Sequence, residues 1–116
     1  NLEARSELNF ASLTAFAGED KEASISIMKT FTEETRKSIE ALRVALKEGS
    51  REDSSRISHK MIPLFSMLGA NTLVQHLRIL EKNDDELTDQ GWNHLLDSVI
   101  KQASLIVEDA EAAMKR

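Results

Sequence analysis

From residue 19 to residue 48 the chain contains neither glycine nor proline. That unbroken stretch constrains the fold more than any other feature of the sequence. Within it Met28, Phe31, Thr35, Ile39, Leu42 and Leu46 follow one another at steps of three or four residues, with Ile27 alongside. Such steps line up side chains as one stripe on an α-helix. Asp20 stands where a helix N-cap is favoured, and Gly49 where a helix ends. A helix from about Asp20 to Glu48 is expected, and its apolar stripe must be covered by other elements.

The remaining sequence supplies them as further helices. Residues 10–17, "FASLTAFA", read as a short apolar helix ending at Gly18. Ser50 followed by Asp53 resembles a weakened capping box and opens a helix that runs to about Leu68, before Gly69. Asn71 to Lys82 carries Leu73, Leu77 and Leu80 at helical spacing, and "NDDEL" after it is the clearest loop. Thr88 to Met114 carries the stripe Trp92, Leu95, Leu96, Val99, Ala103, Ile106, Ala110 and Ala113. With four glycines and one proline in 116 residues, no strand pattern competes. Long helices joined by short loops predict an all-α fold, an antiparallel up-down-up-down four-helix bundle with a short N-terminal helix. One domain spanning residues 1–116 is expected, with 1–9 as a linker or an extension of the first helix.

Composition then removes whole classes of function. There is no cysteine, so disulfides, thiolate metal sites and thiol nucleophiles are excluded, and a reducing compartment such as the cytoplasm is compatible. Fifteen Lys and Arg against twenty Asp and Glu give a net charge of −5, with the two signs interspersed. That balance argues against nucleic-acid binding. No apolar run approaches membrane-spanning length, so no membrane contact by this domain is expected. The chain starts at Asn1 rather than Met, from which excision from a larger parent is expected.

The third helix is the unusual one. At about 100° per residue, Ile57, Met61, Leu64 and Leu68 fall in one stripe with Phe65 beside it, which reads as the core seam. The opposite face holds Ser55, His59, Ile62, Pro63 and Ser66, with His59 almost directly across from the seam. A solvated face normally carries Lys, Glu or Arg. A face of small and apolar groups around a histidine suits the docking of another protein. The plain alternative is a surface histidine with apolar neighbours and no function. Pro63 removes the hydrogen bond that would run to the His59 carbonyl. It either kinks the helix or shapes the surface beside His59.

Two other histidines read as structural or neutral. His94 shares a solvated face with Asn93, Asp97 and Ser98, and His76 sits at the edge of a buried stripe. No Glu-x-x-His pair and no two histidines four apart occur, so no metal site is expected. No paired acid–base or nucleophile–base set stands out either, so an autonomous enzyme is not expected.

Taken together, these residues resemble the histidine-containing phosphotransfer (HPt) domain of multistep phosphorelays. That family carries His-x-x-Lys-Gly and then a Gly-Ala pair on and after its third helix. His59 matches the phosphorylated histidine, and Gly69 and Ala70 match the Gly-Ala pair without a gap. Leu73, Leu80 and Glu81 match the leucine and Leu-Glu pattern that follows. Upstream, "GEDKEASISIMKTF" is similar to the family's acidic turn and second helix, with Phe31 at a usual aromatic position. The resemblance covers about residues 10–112. Two positions depart from it: Ile62 stands at the family's lysine and Pro63 at its glycine, while Lys60 lies about a quarter-turn away.

The resemblance implies a phosphocarrier rather than an enzyme. A receiver domain would carry a phosphoryl group on aspartate, His59 would accept it, and a second receiver would take it on. An imidazole with an ordinary pKa of about 6.5 is largely uncharged near neutral pH and needs no separate base. The implied nucleophile is Nε2, with Lys60 near the phosphoryl group. Glu81 would orient Nδ1, unless it is merely a surface acid at a helix end. Ser55, Ile62, Pro63 and Ser66 would form the docking face. No resident cofactor is implied, because the receiver brings the Mg²⁺. The implied partners are receivers of response regulators or of a parent hybrid sensor histidine kinase. That parent would be membrane-anchored or not, with this domain at its C-terminus in the cytoplasm. The rival reading is a helical interaction or scaffold module, or a degenerate HPt domain that binds receivers without transfer.

Overall fold

The computed structural model describes residues 8–115, Phe16 by its backbone alone. Five α-helices follow in order: α1 (Ala11–Thr14), α2 (Lys21–Glu48), α3 (Arg51–Met67), α4 (Asn71–Lys82) and α5 (Asp89–Met114). No strand occurs among the described residues. The first expected helix is shorter than its apolar run, because α1 tightens into a 3-10 turn over Ala15–Ala17 before Gly18. The assignment of residues 1–9 to a linker or helix extension falls mostly outside the described residues. Asn9 is described, and its N–H donates to the Leu68 carbonyl at 2.9 Å, which ties the chain entry to the end of α3.

Local chemistry sets the helix ends. The Asp20 carboxylate accepts from the Ala23 N–H at 3.1 Å, and Ser50 Oγ accepts from the Asp53 N–H at 3.3 Å. Thr88 Oγ1 accepts from the Gly91 N–H at 3.0 Å. Each hydroxyl or carboxylate satisfies one of the donors that a helix start leaves without a partner. At the other end of α2, Gly49 turns the chain at φ 69°, and the Ser50 N–H closes onto the Ala45 carbonyl at 2.8 Å. A side chain at that φ would be strained, which is why glycine stands there.

The helices pack as a compact bundle. α2 lies against α3 and α5, α4 also lies against α3 and α5, and α1 rests on α2 and α3. The α2 helix alone is about 40 Å long at 1.5 Å per residue, which accounts for most of the 47 Å long dimension. Phe65, Leu42, Leu68, Leu73, Leu77, Leu80, Leu96, Val99 and Val107 are fully enclosed. On α2 the buried stripe ends at Ala45, with Leu46 half-buried. On α5, Leu95 and Ala113 are half-buried, while Ile100, Val107 and the amide of Gln102 lie inside.

The largest correction concerns α3. Leu64, placed in the seam from periodicity, is 40% exposed, and Ile62, placed on the outer face, is 9% exposed. Ser54 and Ser58 are also buried. The true buried face is rotated by about 60° round the helix relative to the Ile57–Leu68 stripe. The cause is packing: α3 makes its broadest contact with α4, and two serines small enough for close approach line its buried side. Ser54 Oγ donates to the Arg51 carbonyl at 2.8 Å and accepts from Trp92 Nε1 at 2.9 Å, so its burial costs little. Pro63 does not end the helix, which continues to Met67.

Arg51 fastens the α4–α5 loop to the start of α3. Its Nε donates to Asn83 Oδ1 at 2.9 Å, Nη2 to the Asp84 carbonyl at 3.2 Å, and Nη1 to Asp89 Oδ1 at 3.0 Å. The Asp84 carboxyl lies below the usual carboxylate range, chiefly because it accepts from the Glu86 N–H and secondarily from Lys82. Asp89 is 91% exposed, so its arm of the clamp is weak. The two bonds to the loop itself carry more. Arg51→Ala is expected to lower stability by about 1–3 kcal/mol, two hydrogen bonds at the ordinary net value of about 0.5–1.5 kcal/mol each, read as a shift in the urea midpoint at unchanged slope.

Candidate functional site

The site is built where α3 and the end of α4 meet. His59 is carried on the exposed side of α3 with a side chain 73% exposed. Its Nδ1 is hydrogen-bonded to Glu81 Oε2. Glu81 is the penultimate residue of α4, with a side chain 34% exposed. Ser55, one turn before His59 on α3, donates from Oγ to the main-chain carbonyl of Glu81 at 2.5 Å. Three residues thus form a short relay across the α3–α4 seam. Among the described residues no partner occupies His59 Nε2.

The tautomer follows from these bonds. A carboxylate can only accept, so a neutral His59 ring must place its proton on Nδ1 to hold Glu81. Nε2 then carries a lone pair on the exposed ring. The arrangement can present a nucleophile with a fixed ring plane and a negative charge behind it. Positive charge developing on the ring would be stabilised by that carboxylate.

The other sequence-derived candidates separate onto different surfaces. Lys60 is exposed about 100° round α3 on the α2 flank, and it bonds to neither His59 nor Glu81. Pro63 and Ser66 are exposed beyond His59 toward the end of the helix. Ser55 is half-buried with its hydroxyl committed to Glu81, and Ile62 is a core side chain. Ile62 is therefore not part of the outer face on which the sequence placed it. Of the four residues expected to share an outer face, only Pro63 and Ser66 are exposed.

Between α2 and the end of α3 lies a groove that the sequence reading missed. A concavity of about 380 Å³ is lined by Leu13, Ile27, Thr30, Phe31, Leu64 and Met67. Leu64 and Met67 are 40% and 46% exposed. Met67 is eight residues from His59, about 80° round the helix and two turns along it. That spacing is a signal in the sequence, but the groove's other wall comes from α2 and α1 and has no local signature.

His76 and His94 stand apart from this site. Gln102 Nε2 donates to His76 Nδ1 at 2.9 Å and also reaches Ser98 Oγ at 3.0 Å, a cross-link between α4 and α5. His94 is exposed on α5 beside Asn93 and Asp97. Among the described residues no three His, Asp or Glu side chains converge as a metal-binding group. No helix among them is long and apolar enough to cross a membrane. No family model, curated protein or solved structure matches the chain.

Proposed function

We propose that this domain is a histidine phosphocarrier of the HPt kind, relaying phosphoryl groups between receiver domains in the cytoplasm. The observation that carries the reading is the exposed His59 whose Nδ1 is held by Glu81, which leaves Nε2 free. We infer the matching up-down-up-down order for α2 to α5. It is supported by the short links between helices, and by Ser55 near the start of α3 reaching Glu81 near the end of α4.

In the forward step the Nε2 lone pair attacks the phosphorus of a receiver's aspartyl phosphate. The N–P bond forms, the P–O bond to aspartate breaks, and aspartate leaves as a carboxylate. No proton moves, because Nδ1 keeps its own and the ring takes up positive charge facing Glu81. A second receiver's aspartate reverses the step and returns the ring to neutrality. Phosphoryl transfer depends mostly on positioning and charge stabilisation. The receiver's Mg²⁺ and catalytic groups would supply what this domain does not carry, and Lys60 is the cation nearest in sequence to His59. Pro63, Ser66, Leu64 and Met67 would form the receiver's landing surface.

One observation favours a second reading. The largely apolar groove between α2 and the end of α3 could dock a partner without any chemistry, as an interaction module or a degenerate carrier would. A single experiment separates the two. The domain is incubated with a phosphorylated receiver and Mg²⁺, and its intact mass is followed. Gain of one acid-labile phosphoryl group, mapped to His59 by fragment masses, is the expected result. Binding without any mass gain, across the receivers of the source organism, would leave the interaction module as the better account.

A further inference from the structure

The last four carbonyls of an α-helix have no intrahelical donor. In α4 the Asn83 N–H reaches back to the Ile79 carbonyl at 3.2 Å. The Glu81 carbonyl is instead taken by a side chain from another helix, Ser55 Oγ at 2.5 Å. That hydroxyl lies one turn from His59 on the same side of α3, and the Glu81 carboxylate is the group bound to His59 Nδ1. The backbone of Glu81 is therefore anchored to the helix that carries the histidine, four residues away from it.

We propose that Ser55 is a positioning residue that holds Glu81 in place, so that the His59 proton stays on Nδ1 and Nε2 stays free to react. Without the anchor, Glu81 itself is bonded to α3 only through its flexible side chain, the Arg51 bonds falling on Asn83 and Asp84 beyond it. Terminal helix turns fray, and a carbonyl at a half-buried position can turn to water instead. The carboxylate then spends less time against Nδ1. An imidazole without such a partner in water places its proton mainly on Nε2, where it blocks the nucleophile. Alanine at 55 is a good helix former and removes no core packing, so the fold is retained. Threonine at 55 keeps a hydroxyl able to reach the same carbonyl.

The catalytic consequence rests on the phosphocarrier reading, but the tautomer does not, and the two can fail separately. The test is ¹⁵N NMR of the His59 ring in the full chain, at a pH where the ring is neutral, for wild type, Ser55→Ala, Ser55→Thr and Glu81→Ala. The expected result is the Nδ1–H form in wild type and Ser55→Thr, with a shift toward Nε2–H in Ser55→Ala and a larger one in Glu81→Ala. Phosphoryl uptake by Ser55→Ala should slow by about two- to tenfold, the range that one net hydrogen bond spans. A wild-type tautomer ratio in Ser55→Ala, or no recovery in Ser55→Thr, would overturn the assignment. If no variant takes up phosphate while the tautomers behave as expected, the phosphocarrier reading falls and the role of Ser55 stands.

Discussion

Replacing His59 by glutamine is expected to reduce phosphoryl uptake below detection while leaving the fold and receiver affinity intact. An amide nitrogen has its lone pair delocalised into the carbonyl and cannot attack phosphorus as an imidazole does. Packing is not at stake, because the His59 side chain is 73% exposed, and substitutions at such positions typically change stability by no more than about 0.5 kcal/mol. Neither His76→Gln nor His94→Gln should reproduce the effect. His76 Nδ1 accepts from Gln102, which keeps the neutral ring's proton on Nε2, and the ring is half-covered. His94 is exposed, but no carboxylate is bonded to it among the described residues. Intact-mass analysis with a thermal melt on each variant checks all three. Uptake that survives in His59→Gln but vanishes in another histidine variant would move the site.

The contrast between helices explains how much of this architecture can be read from sequence. On α2 the period of the apolar residues and the caps at Asp20 and Gly49 define the element, because every determinant is local. On α3 the same method places the seam about 60° too far round. Periodicity finds the most apolar stripe of a helix and carries no information on where the neighbours stand. Ser54 and Ser58 read as polar yet are fully buried, and Leu64 reads as core yet borders a groove. What makes Ser54 comfortable inside is Trp92, 38 residues away. The site divides in the same way. His59 can be singled out from its own helix. The expectation that Glu81 lies near Nδ1 comes from the family resemblance, since the approach of two helices is not a property of either. The bond from Ser55 to Glu81, across 26 residues, has no local trace at all.

Two adjacent residues on α3 put the rotated seam to a quantitative test. Phe65→Ala is expected to cost about 3–5 kcal/mol, the range for removing a buried aromatic ring and leaving a cavity. Phe65 is 1% exposed, and its ring centroid lies 5.7 Å from that of Phe31 at 56°, an inclined pairing that ties α3 to α2. A domain of this size has a total stability of about 5–15 kcal/mol, so the variant loses a large share of it. Leu64→Ala should cost less than about 1.5 kcal/mol, because 40% of that residue is already in water and only the buried remainder is lost. Had the seam run through Leu64, the leucine would show the full core penalty of a Leu→Ala change, about 2–5 kcal/mol. Urea unfolding of both variants decides between the two geometries by the midpoints alone. The same pair also separates fold from surface: Leu64→Ala keeps the bundle and trims the α3 wall of the groove between α2 and α3. Its binding to a phosphorylated receiver should weaken without loss of the phosphoryl site, whereas any loss of binding in Phe65→Ala should track the unfolded fraction.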